Sequence, residues 1–200
     1  MIDFKALLNS TANRLVLVTV VVHVVLQQAL YAGSATGFEM FNWQSAYFKP
    51  WQLVTHIFLH GSWSHLAFNM IGLWSFGRMV EKVWGGKRFL IFYLVCGIGA
   101  GVISQLVDQF VFNQAYGATL GASGAVYGLL VAFALMFPNF KIMLIFLPVP
   151  IAAKYFVPVL LLIDLTAGLT GISIFGQNIA HFAHLGGALI GFIIVQVYRR

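Results

Sequence analysis

The sequence predicts an all-α, polytopic membrane protein folded as a bundle of six transmembrane helices, and three observations predict it. Of 200 residues, 60% are hydrophobic and 8% charged, and mean hydropathy is +0.91; such a chain has too little polar surface to be soluble. Six stretches approach the roughly 20 apolar residues that a bilayer crossing requires. The basic residues gather on one side of the arrangement that those six stretches define.

The first span covers about 14–33, running from Leu15 past Thr19, His23 and Gln27-Gln28 to Ala32. The small residues Ala32-Gly33-Ser34 follow it as a signal-peptide cleavage site would, but the apolar run exceeds a signal peptide's and predicts an uncleaved helix. The connection 34–61 carries Phe38, Phe41, Trp43, Tyr47, Phe48 and Trp51, with Trp63 just beyond, an aromatic density suited to the headgroup region. Spans at 62–80 and 89–107 follow, the latter holding the lone cysteine, Cys96, as a small buried hydrophobe. After 108–120 comes a fourth span at 121–137. Pro138, Pro148 and Pro150 then discourage a helix, so 138–152 is expected to be an irregular connection hugging the membrane. Spans at 153–171 and 178–197, joined by 172–177, complete the chain.

Lys5, Arg14, Arg78, Lys82, Lys87, Arg88, Lys141, Lys154, Arg199 and Arg200 fall on one side of this arrangement, and Lys49 on the other. That asymmetry puts both termini in the cytoplasm. The net charge of +6 is spread along the chain rather than clustered on a face, which excludes a nucleic-acid partner.

Polar side chains inside a bilayer are costly and need a reason. Ser123 stands at the outer start of the fourth span, between Gly121-Ala122 and Gly124, with Tyr127 one turn further on. His65 and Asn69 share a face in the outer part of the second span, as His181 and His184 do in the sixth. A hydroxyl, imidazoles and a carboxamide therefore meet at one shallow depth, and these are the parts of a nucleophile, a base and an oxyanion donor. Spacing does not choose between His181 and His184 as the base. A metal held by His65, His181 and His184, or by the pair His56 and His60, is the rival arrangement. Against it, no HExxH pattern occurs and the nearest carboxylate in the first outer connection is Glu39, so neither metal nor cofactor is expected.

With these residues in view, the chain resembles the rhomboid intramembrane serine proteases. Gly121-Ala122-Ser123-Gly124 with Tyr127, Ala183-His184-Leu185-Gly186-Gly187-Ala188-Leu189-Ile190-Gly191 in the register AHxxGxxxG, and His65-Leu66-Ala67-Phe68-Asn69 in the register HxxxN carry the resemblance. It implies a rhomboid-like six-helix bundle as a single domain over 1–200, with its catalytic core at about 51–197. Ser123 would be the nucleophile and His184 the base of a dyad. His65, Asn69 and the Ser123 amide would form the oxyanion hole, with Gly121 and Ala122 beside it. Tyr127 would stack on His184, Gly187 and Gly191 would bring the sixth helix onto Gly124 and Gly128, and His181 would support the site. No acidic residue is expected to orient His184, because Asp164 lies mid-span in the fifth helix, Asp108 in an outer connection and Glu81 on the cytoplasmic side. The family's Trp-Arg pair reads Trp51-Gln52 here, which questions the polar bonds of that loop. Glu81 occupies a position where the family ties helices together.

The implied reaction is peptide hydrolysis near the outer end of a substrate's transmembrane helix, on single-span or polytopic membrane proteins within the lipid bilayer. The implied location is a bacterial plasma membrane, with the site open to the outer face. Residues 172–177 would cap the site, and the side of the fifth helix bearing Phe156, Leu160 and Leu161 would admit the substrate. A catalytically silent relative that binds membrane proteins is the alternative. Less favoured is a transporter using Asp164.

Overall fold

The computed structural model describes residues 9–30, 36–113, 118–144, 147–172 and 180–198. The chain is mostly helical. Helix α1 (Thr11–Val21) continues as a π-helical stretch, Val22–Leu30. The first long connection contains one short turn, α2 (Gln52–Thr55), followed by the 3-10 turn His56–Phe58. Helix α3 (Trp63–Gly72) runs through a π-helical segment, Leu73–Gly77, into α4 (Arg78–Trp84). Gly85, at φ +77°, then reverses the chain into α5 (Gly86–Phe110). Helices α6 (Ser123–Met136), α7 (Ala153–Thr170) and α8 (His181–Tyr198) complete the bundle. The segments Thr11–Gln28, Gly86–Phe110, Ala153–Thr170 and His181–Tyr198 are long and apolar enough to cross a membrane.

Helix α6 is apolar all round and lies at the centre, with ten of its residues buried, among them Leu129, Leu130 and Phe133. The outer helices instead leave large apolar side chains uncovered, such as Val18, Val95, Leu162 and Phe192, as helices facing lipid do.

One expectation fails in part: two strands form within 138–152, so the mostly helical chain also carries one small sheet. Strands β1 (Lys141–Leu144) and β2 (Leu147–Ala152) form an antiparallel hairpin, pairing Lys141 with Ala152, Ile142 with Ile151 and Leu144 with Leu147. In a two-stranded ribbon each strand has an outer edge, where a proline costs no ladder hydrogen bond. Pro148 and Pro150 both fall between Leu147 and Ile151, where the register shifts and the regular ladder is interrupted.

The long connection before α3 is organised by Gln52, 1% exposed. Its Oε1 accepts from the amides of Phe41 and Lys49 at 3.3 and 3.1 Å, and its Nε2 donates to the carbonyls of Gly37 and Tyr47 at 2.9 and 3.1 Å. Glutamine thus supplies four polar bonds to this loop. Glu39 closes its start by accepting from the amides of Thr36 and Gly37. Gln105 and Gln109 of α5 fix Trp43 from below, through its backbone amide at 3.1 Å and its indole N–H at 2.6 Å. The Gln27 carboxamide clasps the His60 backbone at 3.1 and 2.9 Å, docking the first helix on the same loop. Replacing buried Gln52 by alanine removes all four bonds at once and is expected to lower stability by about 2–3 kcal/mol, read as a fall in the thermal midpoint in detergent.

Glu81 joins α4 to the start of α1, accepting from the Ser10 hydroxyl at 2.6 Å and from the amides of Thr11 and Ala12 at 2.6 and 3.0 Å. A carboxylate there satisfies orphan N–H groups and meets the positive end of the helix. Burial alone would raise its pKa, but the Ser10, Ala12 and Thr11 donors outweigh burial and hold it below the ordinary value of 4.5. With the folded value depressed, this stabilisation is present above the ordinary value and lost as pH falls through the folded one. Glu81→Gln is expected to lower the thermal midpoint at pH 7, with the gap from wild type closing on acidification below the ordinary 4.5.

Candidate active site

Helix α6 has 14 residues, so it rises about 21 Å against a hydrocarbon core of about 30 Å. Its first residue is Ser123. The approach to it is fixed by the first long connection. Met40 and Thr119 exchange two backbone bonds of 2.9 Å, and the Gly121 amide donates to the His56 carbonyl at 2.9 Å. Gly121 has φ +127°, and a Cβ there would stand 2.8 Å from His65 Nε2 and 3.7 Å from Ser123 Oγ. Only glycine leaves the imidazole and the hydroxyl that shared space. The Ser123 amide, at the first position of the helix, has no intrahelical acceptor.

Helix α8 lies on α6 with almost no side-chain spacer. A Cβ on Gly187 would fall 1.9 Å from the Gly124 carbonyl oxygen, and one on Gly191 would fall 2.6 Å from that of Gly128. Gly128 in turn lies against Cys96, where a Cβ would stand 2.6 Å from the sulfur. Such small-residue faces let two membrane helices meet backbone to backbone. His184, one turn before Gly187, stacks on Tyr127 of α6 with ring centroids 4.2 Å apart and planes 13° apart.

Asp164 overturns the expectation that no acidic group reaches His184. Its Oδ1 accepts from Nδ1 of both His184, at 3.1 Å, and His181, at 2.5 Å, while Oδ2 accepts from the Tyr127 hydroxyl. The carboxylate is fully buried and His184 keeps 12% of its side chain exposed. Its reach is set by Gly168, one turn later on α7, where a Cβ would meet the Phe182 ring at 2.9 Å. The close approach of α7 to α8 carries Asp164 between the two histidines.

Asp164, His181 and His184 are also the one group among the described residues whose ligand atoms lie close enough to share an ion, all within 4.8 Å. Two ligand atoms on a tetrahedral zinc stand about 3.3 Å apart. The His181–Asp164 separation of 2.5 Å is shorter than that and lies in direct hydrogen-bond contact.

On the opposite side of Ser123, His65 Nδ1 accepts from the Gly61 amide at 3.4 Å, so a neutral His65 carries its proton on Nε2, the atom beside Gly121. Asn69 is buried and uses one amide hydrogen on the His65 carbonyl at 2.9 Å, leaving a second. Gly72, three residues beyond Asn69, brings α3 against Val126 of α6, where a Cβ would stand 2.9 Å away. The amides of Gly121 and Ala122, residues expected beside the oxyanion hole, already have partners. That of Ala122 donates to His60 Nε2 at 3.4 Å. Burial, with the nearby His65 and His23, pushes the His60 pKa down to about 3, so this imidazole is neutral and accepts. His56 and His60 thus hold the serine loop rather than a metal. A small cavity is lined by Ser123 together with His56, Gly101, Thr119 and Ala180.

Phe156, Leu160 and Leu161 of α7 are partly buried against the core. The segment expected to cap the site lies, beyond Ile172, outside the described residues. What sequence reasoning missed is Asp164, and the signal was there: an intramembrane carboxylate four residues before a glycine, in a chain with two histidines on one face of another span.

Fold and site together define a helical membrane protein that holds a serine, a carboxylate-bound histidine and amide donors inside its bundle. The family model described as the Rhomboid domain matches residues 47–200. The chain belongs to the rhomboid family. It is 36% identical over 154 residues to Rhomboid-like protein 11, chloroplastic, of Arabidopsis thaliana, covering 74% of this chain and 52% of that one. To Rhomboid protein 1, mitochondrial, of Saccharomyces cerevisiae it is 32% identical over 139 residues, covering 70% and 39%. To Rhomboid protease GluP of Bacillus subtilis it is 37% identical over 143 residues, covering 71% and 25%. The chain therefore spans between a quarter and about half of the length of these relatives. Their names include chloroplast and mitochondrion alongside a bacterial species, so the family places the chain in a membrane without choosing a bacterial one.

Proposed function

We propose that this chain is an intramembrane serine endopeptidase acting on the transmembrane helices of membrane proteins near the outer face. The observation that carries this reading is His184, held by Asp164 through Nδ1 and stacked on Tyr127, on a helix seated against that of Ser123. Bonding at Nδ1 leaves Nε2 with its lone pair. Ser123 Oγ attacks the scissile carbonyl while Nε2 takes its proton; the carbonyl π pair moves to oxygen, stabilised by His65 Nε2–H, Asn69 and the Ser123 amide. Collapse of this intermediate breaks the C–N bond, and Nε2 delivers its proton to the leaving amine. Water then attacks the acyl-serine by the same proton route.

Six crossings complete the bundle in this reading, α3 with α4 and the short α6 supplying the two beyond the four long apolar segments. Both termini lie in the cytoplasm, from the distribution of basic residues. The one domain covers 1–200, with its catalytic core at about 51–197. A substrate helix has to unwind before its carbonyl is accessible, since helical hydrogen bonds shield it. It is admitted beside the outer end of α7, because moving the middle of that helix would draw Asp164 away from His184. Treatment of the protein in liposomes with a fluorophosphonate is expected to place one adduct on Ser123, located by mass spectrometry, and none in His184→Ala. An unmodified Ser123 in wild type would count against the proposal.

A further inference from the structure

Three side chains from two helices converge on one carboxylate of a third, at a depth where an unpaired charge is not tolerated. We infer that Asp164 is the positioning residue of the site, fixing His184 as the Nδ1–H tautomer with Nε2 free to accept the serine proton; this rests on the protease reading. The geometry supports it at each atom. Oδ1 takes the Nδ1–H of His184 and of His181, and Oδ2 takes the Tyr127 hydroxyl. The Tyr127 ring on the face of His184 restrains its tilt, and the same tyrosine's hydroxyl restrains the carboxylate that restrains its edge. Ring and carboxylate are thus locked to each other through one side chain.

When Nε2 takes the Ser123 proton, the imidazolium forms beside a carboxylate already oriented to it. The proton on Nδ1 stays on nitrogen, and Asp164 remains ionised throughout. His181 shares Oδ1 and holds the carboxylate in place when His184 moves with the reaction. The titratable groups facing Asp164 are Tyr127 from α6 and His181 and His184 from α8, and His65 of α3 lies close to His184 from the other side. The arrangement also ties α7 to the base, so the middle of α7 is a fixed part of the site.

The test is Asp164→Asn in the full-length protein in liposomes, with a membrane-embedded substrate. The isosteric amide keeps the shape but removes the charge, and it presents N–H groups where an acceptor was. A fall in kcat of about a hundredfold or more, with KM within about threefold of wild type and a parallel fall in the rate of Ser123 phosphonylation, is the expected result. A kcat within about threefold of wild type overturns the inference. Should Asp164→Asn fail to fold, 15N chemical shifts of the histidines in the wild type decide, with His184 assigned from the signal lost in His184→Ala. Protonated Nδ1 with bare Nε2 supports the assignment, and the opposite tautomer overturns it. A wild type that neither cuts nor labels defeats the protease reading, whereas a wild type that cuts as fast as Asp164→Asn defeats the assignment of Asp164 alone.

Discussion

Ser123→Ala and His184→Ala each reduce turnover of a transmembrane substrate by about 10³-fold or more while leaving the protein folded. The magnitude follows from the division of labour. Without the hydroxyl no acyl-enzyme forms, and without the imidazole the hydroxyl is attacking with its proton still on. Neither side chain is a structural keystone: Ser123 and His184 both keep part of their surface open, and the packing of their helices is carried by glycines. Both side chains act on the reacting bond rather than on the rest of the substrate, so KM should change little, and the loss falls on kcat. Alanine at His181 is not a neutral control, because that ring donates to Asp164. It should weaken turnover by less than the other two. The exposed Lys141, in the hairpin and away from the site, serves better.

Gly187→Ala is the second large expected effect, and it acts through the backbone. Its Cβ would overlap the Gly124 carbonyl oxygen at 1.9 Å. No rotamer change relieves a clash between a Cβ and a main-chain oxygen, so α8 must move off α6. Separation costs stability, about 3 kcal/mol as for severe overpacking, and withdraws His184 from Ser123. Thermal midpoint and cleavage should fall together. At Gly61 a Cβ would meet only the end of the Leu120 side chain, at 3.8 Å, so Gly61→Ala should leave both nearly unchanged and shows that the effect is local to the helix contact.

The helices were legible because apolar length is a local property. The spans expected at 153–171 and 178–197 appear as Ala153–Thr170 and His181–Tyr198, the former closed by Gly171 in the left-handed conformation that a helix end favours. The hairpin was not, because prolines 148 and 150 break helices and regular strands alike, and only the pairing shows that both fall where the register shifts. Depth along a span could also be read, but rotation about its axis could not. Asp164 was therefore placed correctly in the middle of its helix while its aim at His181 and His184 stayed hidden. The same holds for the loop. His56 and His60 read as an i, i+4 pair suited to a metal, whereas their carbonyl and ring nitrogen hold the Gly121 and Ala122 amides. Hydrogen bonds between residues about 60 apart leave no periodic trace. Gln52 shows the converse, since a departure from the family's arginine is met by four bonds that a carboxamide can make.

The most direct measurement places the purified wild type in liposomes with a tagged single-span substrate and determines the fragment masses. The expected result is one cut near the outer end of the transmembrane segment, absent with Ser123→Ala. Intact substrate, in liposomes where Ser123 also fails to take a fluorophosphonate, would contradict it.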